Sequence, residues 1–124
     1  MVNPATLRPI IEAAYERRQA INPGNVEASL AAAVEQCIDA LDRGEVRIAE
    51  KIGGRWQVNE WLKQAVLLYF RTHDNRLVDA GYTRFYDKVP LKYPDTSAAE
   101  FAAGGVRVVP HALVRRGAYV APNT

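Results

Sequence analysis

Arg107 has the strongest claim to chemistry, standing in Val106-Arg107-Val108-Val109 between Gly104-Gly105 and Pro110. Side chains alternate along a strand, so Arg107 is expected to face away from Val106 and Val108. A guanidinium held in that way can grip a carboxylate through two parallel hydrogen bonds. The spacing alone leaves an alternative open, an exposed arginine on an edge strand. His73 follows a helical segment and reads as a C-terminal cap, where a basic ring suits the helix dipole. His111, beside Pro110, reads as a loop residue rather than a base. Neither histidine has a metal-ligand companion at helical or hairpin spacing. Cys37 falls on an apolar stripe, as a small buried hydrophobe does. Arg84-Phe85-Tyr86-Asp87-Lys88 reads as an ordered loop in which Asp87 and Lys88 make local polar contacts. No Walker loop, dinucleotide fingerprint, HExxH, CxxC or nucleophile elbow occurs. No catalytic, metal-binding or cofactor-binding residue is therefore assigned.

The elements that must position these residues follow from periodicity and punctuation. Leu7, Ile10, Ile11 and Ala14 recur on one face of a helix over about 6–19, with Pro9 tolerated in its first turn. Asn22-Pro23-Gly24-Asn25 breaks the chain, and Asn25 can cap a second helix over about 26–42. Val26, Leu30, Ala33, Val34, Cys37, Ile38 and Leu41 form its apolar stripe, and Gly44 lies where a left-handed cap belongs. Val46, Ile48 and Ile52 then share a parity, as do Trp56 and Val58, around Gly53-Gly54. This predicts a hairpin of strands 47–52 and 55–58 with a primed two-residue turn. Glu50 breaks the apolar pattern and is expected to be a bulge or to have a specific polar partner. A third helix over about 60–71, capped by Asn59, is apolar nearly all round and is expected at the centre. Residues 77–93 are aromatic-rich and irregular, with Pro90 and Pro94 limiting any strand. Ser97-Ala98-Ala99-Glu100 opens a short helix with a capping-box pattern, Gly104-Gly105 ends it, and 106–109 forms a brief strand.

Composition bounds the partners. The 124 residues are 48% hydrophobic and 24% charged, with a net charge of +2, which suits one soluble globular domain. Basic residues are scattered among nearly as many acids, and Arg17-Arg18 and Arg115-Arg116 are pairs rather than a patch, so no nucleic-acid partner is expected. The longest apolar run, 65–70, falls far short of the roughly 20 residues that cross a bilayer, so no membrane partner is expected either. A single cysteine excludes an internal disulfide and fits a cytoplasmic setting.

The last residues repeat. Val114 and Val120 lie six positions apart, each followed four positions later by a small residue, Ala118 and Thr124. That is the spacing of a hexapeptide β-helix, whose rungs bury their apolar faces only by stacking. Residues 106–124 are therefore expected to be a connecting strand and the truncated first rung of such a solenoid, after a mostly helical α+β domain over 1–105. With no further rung to stack on, the last eleven residues are expected to be loosely held.

Five segments in order resemble the N-terminal domain of the tetrahydrodipicolinate N-succinyltransferase family. They are Ala14-Tyr15-Glu16-Arg17-Arg18, Arg47-Ile48-Ala49-Glu50-Lys51-Ile52, Trp61-Leu62-Lys63-Gln64-Ala65-Val66-Leu67-Leu68, Tyr86-Asp87-Lys88-Val89-Pro90, and the tail from Val106 to Ala118. The resemblance implies a bacterial enzyme of lysine and diaminopimelate biosynthesis, a cytoplasmic homotrimer with a left-handed β-helix. It transfers the succinyl group of succinyl-coenzyme A, a cosubstrate rather than a resident cofactor, to a cyclic dicarboxylate. It implies that Arg107 binds the dicarboxylate. It also implies that this 124-residue stretch, lacking the later hexapeptides, is inactive alone. The competing expectation is a free-standing helical interaction module whose tail adds to a partner's sheet edge.

Overall fold

Asn3 and Pro4 start the first helix earlier than the apolar spacing suggests. In the computed structural model, which describes residues 2–124, α1 is Pro4–Glu16. The Asn3 side chain accepts from the Ala5 N–H at 3.1 Å, and Pro4 opens the helix. Pro9 consequently lies in the second turn, not the first, and has no N–H to offer the helix ladder there. Burial of Leu7, Ile11 and Ala14 carries the helix through that gap, while Ile10, expected on the core face, is 37% exposed. A 3-10 turn, Arg18–Ala20, replaces the expected last helical turn.

The second helix, α2, is Ala28–Arg43. Asn25 does not cap it. Its side chain instead closes the preceding loop, accepting from the Asn22 N–H and donating to the Ala20 carbonyl. Leu30, Ala33, Val34, Cys37, Ile38, Ala40 and Leu41 are buried, and Gly44 ends the helix at φ 74°. The third helix, α3 (Glu60–Thr72), buries Trp61, Leu62, Ala65, Leu68, Tyr69 and Thr72. Each of the three helices packs on the other two. Leu67 is 40% exposed, so α3 is not apolar-buried all round as expected. Ile11, Val34, Leu30, Leu62 and Leu68 at the centre are almost fully buried, each contributing about 1.5–3 kcal/mol by leaving water.

Strands β1 (Ala49–Ile52) and β2 (Arg55–Val58) form the expected hairpin, with φ of 56° at Gly53 and 79° at Gly54. A two-residue turn pairs odd positions with even ones: Lys51 opposes Trp56, and Ile52 opposes Arg55. Ile52 therefore lies on the face opposite Trp56 and Val58, and all three are more than half exposed. Glu50 has its specific partner in Asn59, whose side-chain amide donates to Glu50 at 2.8 Å and to the Arg47 carbonyl at 2.6 Å. Asn59 occupies the expected N-cap position of α3, but its side chain ties the hairpin to the helix start and makes no capping bond.

A second hairpin, β3 (Arg76–Asp79) with β4 (Arg84–Asp87), occupies part of the stretch expected to be irregular. Its register sets Arg76 opposite Asp87 and Asp79 opposite Arg84, opposite-charge pairs of the kind that favour cross-strand pairing. Gly81 turns the loop at φ 87°. The last helix, α4 (Ala98–Gly104), opens as expected with Ser97 Oγ accepting from the Glu100 N–H, and Gly105 closes it at φ 65°. The fold is α+β, three packed helices with two small antiparallel hairpins and a short C-terminal helix.

The tail departs from expectation in two ways. Residues 106–109 are extended but form no strand, because the only ladder-like bond there runs from the Arg107 N–H to the Thr124 carbonyl. The last eleven residues, expected without partners, make specific contacts with the rest of the chain. The Lys92 N–H donates to the Val114 carbonyl and the Arg116 N–H to the Pro90 carbonyl, both at 2.9 Å. The Tyr119 ring lies against Gly44 and under the Arg47 guanidinium, 4.2 Å from the ring centre. Turns recur at Pro110-His111, Arg116-Gly117 and Pro122-Asn123, six residues apart, with positive φ at Gly117 (103°) and Asn123 (67°). The path then closes on itself: the Asn123 N–H donates to the Gly105 carbonyl at 2.6 Å, eighteen positions back.

A Cβ on Gly44 would come within 2.7 Å of the Tyr119 ring, at a φ of 74° that side chains resist. Gly44→Ala is expected to destabilise the protein by about 2–4 kcal/mol in urea unfolding. In a Tyr119→Ala background the cost should shrink to the backbone part, about 1–2 kcal/mol; an unchanged cost would place the strain elsewhere.

Candidate functional site

The outer edge of α2 carries Glu35, Asp39 and Asp42, spaced so that all three share a helix face. Together they grip the tail. Arg116 Nη2 lies 2.8 Å from Glu35 Oε2 and also donates to Asp39 Oδ1. The Gly117 N–H donates to Asp42 Oδ1 at 2.8 Å. Lys92 Nζ pairs with the same carboxylate at 2.8 Å and caps the Asp42 carbonyl at 2.9 Å. Burial opposes the Arg116 charge, but the hydrogen bonds it donates to Asp39 and Glu35 outweigh that and raise its proton affinity above that of a free arginine.

His73 extends this network. It occupies the C-cap of α3, as expected, and stacks on Tyr69 with ring centres 3.7 Å apart. Nδ1 lies 3.0 Å from the Tyr69 carbonyl and 2.9 Å from the Thr72 hydroxyl. Nε2 lies 3.0 Å from Glu35 Oε1, joining α3 to α2 beyond the cap. The Tyr69 phenol is pushed up, first by burial and then by the Glu35 charge.

Arg107 lies on the closed path of the tail and is exposed. Among the described residues its guanidinium has no hydrogen bond or ion pair, whereas Arg115 is committed to Asp87 and Arg116 to Glu35 and Asp39. A guanidinium left free beside paired neighbours is available to an anionic ligand. Val108, next along the chain, lines an apolar cleft of 420 Å³ with Val78, Tyr82, Phe85 and Phe101.

Asp87 and Lys88 do make polar contacts, but on a strand end and not locally. Asp87 pairs with Arg115 at 2.9 Å, and Lys88 Nζ caps the Phe70 carbonyl of α3 at 2.8 Å. His111 sits in a turn, edge-on to Tyr82. The structure brings none of Arg107, His73, His111 and Cys37 into hydrogen-bonding reach of another. Among the described residues no group of His, Cys, Asp or Glu could hold a metal ion, and no helix is long and apolar enough to cross a membrane. The acidic grip of α2 was missed in the sequence; its signal is the helical spacing of Glu35, Asp39 and Asp42 combined with a distant arginine pair.

A sequence model of the tetrahydrodipicolinate N-succinyltransferase N-terminal family matches residues 6–72. The chain belongs to that family. Among its relatives, the 2,3,4,5-tetrahydropyridine-2,6-dicarboxylate N-succinyltransferase of Aeromonas hydrophila subsp. hydrophila is 57% identical over 118 residues, covering 95% of this chain. The protein of that name from Shewanella denitrificans is 55% identical over 118 residues, again 95% of the chain. The one from Legionella pneumophila (strain Paris) is 50% identical over 119 residues, or 96%. The chain spans 43% of the length of each of these relatives.

Burial pushes the Cys37 thiol up from 9.0 to about 11, since a thiolate there would lose its hydration. The unfolded chain ionises first, so this stabilising contribution is intact below about pH 9 and is lost as pH rises towards 11. Wild-type stability is expected to fall by about 2 kcal/mol more than that of Cys37→Ala across this window. Urea unfolding at both ends checks it; equal losses would contradict it.

Proposed function

We propose that this chain is the amino-terminal part of an enzyme that transfers the succinyl group of succinyl-coenzyme A to tetrahydropyridine-2,6-dicarboxylate, in lysine and diaminopimelate biosynthesis. Residues 1–105 are its first domain, and residues 106–124 are the first coil of a left-handed hexapeptide β-helix. The observation that carries the reading is the closed path of the tail. Three turns at six-residue spacing return the chain beside its starting point after eighteen residues, which matches a three-sided coil built from hexapeptides. Val108, Val114 and Val120 occupy equivalent places on the three sides. Val109, Leu113 and Tyr119 remain more than two-fifths exposed, as they would on a coil that stacks further coils.

Among the described residues Arg107 is the cation of that coil without a hydrogen-bond or ion-pair partner, and its role is to bind a carboxylate of the substrate through the planar guanidinium fork. In the reaction water adds across the ring C=N bond and leaves an N–H; a C–N bond then forms between that nitrogen and the succinyl carbonyl carbon, the C–S bond of the thioester breaks, and the nitrogen's proton leaves with coenzyme A as its thiol. Holding the nitrogen against the thioester carbonyl, and stabilising the oxyanion that forms, are the tasks such a site must perform. Arg107 contributes the first by fixing the dicarboxylate. The reading takes the enzyme as a cytoplasmic homotrimer, with succinyl-coenzyme A as cosubstrate and no resident cofactor, nucleic acid or membrane. The names of the relatives support the reaction, and the mixed charge of the chain agrees with the small-molecule partner.

A chimera of residues 1–124 with the remaining part of the Aeromonas hydrophila relative is expected to transfer succinyl groups, and residues 1–124 alone are expected not to. In the chimera, Arg107→Ala should raise the KM for the dicarboxylate about tenfold or more, as loss of charge-assisted hydrogen bonds does, and leave the KM for succinyl-coenzyme A unchanged. An inactive chimera that is folded, or a change confined to the coenzyme A constant, would overturn the reading.

A further inference from the structure

Among the described residues the Arg107 guanidinium has no hydrogen bond or ion pair to hold it, so its place depends on its backbone. That backbone is fastened to the end of the coil, by the bond from its N–H to the Thr124 carbonyl and by the neighbouring bond from the Asn123 N–H to the Gly105 carbonyl. These bonds tie the coil's start to its end, and neither touches α1, α2 or α3. What fastens the coil to the helices lies on another side, around Arg116 and Gly117. There the Arg116 guanidinium sits between Glu35 and Asp39, with 22% of its side chain exposed, and the Gly117 N–H reaches Asp42. The adjacent Arg115 is a useful contrast: its own side chain is 44% exposed and meets one carboxylate where Arg116 meets two, although Asp87, Glu35 and Asp39 are similarly exposed. A pair exposed on both sides holds little.

We propose that Arg116 is a positioning residue for substrate binding: clamped by Glu35 and Asp39, it fixes the orientation of the coil and so sets where Arg107 presents its guanidinium to a dicarboxylate. This rests on the reading of Arg107 as the carboxylate-binding residue. The clamp suits the task because one guanidinium meets carboxylates a helical turn apart, which resists both sliding along α2 and rotation about it. The closed coil transmits the constraint, since its start and end are bonded and its turns are fixed at Gly117 and Asn123 by left-handed backbone.

The first test is amide hydrogen exchange in the 124-residue chain. Arg116→Gln should speed exchange at Arg107 and Asn123 at least tenfold while Val34 and Leu68 in the core stay within twofold of wild type, and Arg115→Gln should change none of them. Unchanged exchange at Arg107 and Asn123, or loss in step with the core, overturns the proposal. Asp39→Asn, which keeps the side-chain shape and the Glu35 contact, should act in the same direction with a smaller effect and serves if Arg116→Gln does not fold. The second test uses the chimera with the Aeromonas hydrophila remainder. Arg116→Gln should raise the KM for the dicarboxylate severalfold and leave the KM for succinyl-coenzyme A unaltered. If Arg107→Ala alters the dicarboxylate constant and Arg116→Gln does not, only the positioning role fails; if Arg107→Ala has no effect, the reading of Arg107 itself fails.

Discussion

The Arg116 guanidinium, set between two carboxylates of α2, orients the tail on the helical domain beside the backbone bonds at Val114 and Arg116 and the Tyr119 ring. The constraint is electrostatic and steric at once. Arg116 is too buried to leave its charge unpaired, and Glu35 and Asp39 meet it only when the tail lies along this edge of the helix. Lys92 and the Gly117 N–H then converge on Asp42, one helical step further. Residues separated by some 75 positions are brought together by one acidic stripe.

Backbone conformation makes this possible. The amide of Gly117 can donate to Asp42 because the turn there runs at φ 103°, and a side chain at that φ would be strained. Gly44 plays the complementary part just beyond Asp42, at the same C-terminal end of α2. Its left-handed cap stops the helix and leaves room for the Tyr119 ring, which Arg47 covers from the far side. Gly105 does the same at the foot of α4, where the Asn123 backbone comes close enough that a Cβ would crowd it at 3.3 Å. Three glycines thus mark three places where the tail touches the body.

Much of this was legible from the residues. The apolar stripes of α2 and α3, the Gly53-Gly54 turn and the Ser97 cap follow from local spacing, which depends on neighbours in sequence. The start of α1 was available in Asn3-Pro4 but lost to the weight given to Leu7 and Ile10. The second hairpin escaped because its signal is a pairing of Arg76 with Asp87 and of Asp79 with Arg84, which becomes visible only once the register is known. The tail was expected to be a hexapeptide repeat from Val114 and Val120; Val108 was not counted, so the return of Asn123 to Gly105 was not foreseen. Arg107 was singled out because an arginine among valines is conspicuous, while its carboxylate-binding role came from the family resemblance and stands as a proposal. Arg116 was passed over because its meaning lies on a helix far away in sequence. Long-range charge pairing leaves little local trace.

The closed coil is the claim on which the placement of Arg107 depends, and it can be observed directly. A through-hydrogen-bond scalar coupling between the Asn123 amide nitrogen and the Gly105 carbonyl carbon, measured by NMR on the isotopically labelled 124-residue chain, reports that closure itself. A resolved coupling, with the Arg107 amide well dispersed from random-coil positions, is the expected result. An Asn123 amide at a random-coil shift with no coupling to Gly105 would mean that the tail does not close, and the site built on it would fall.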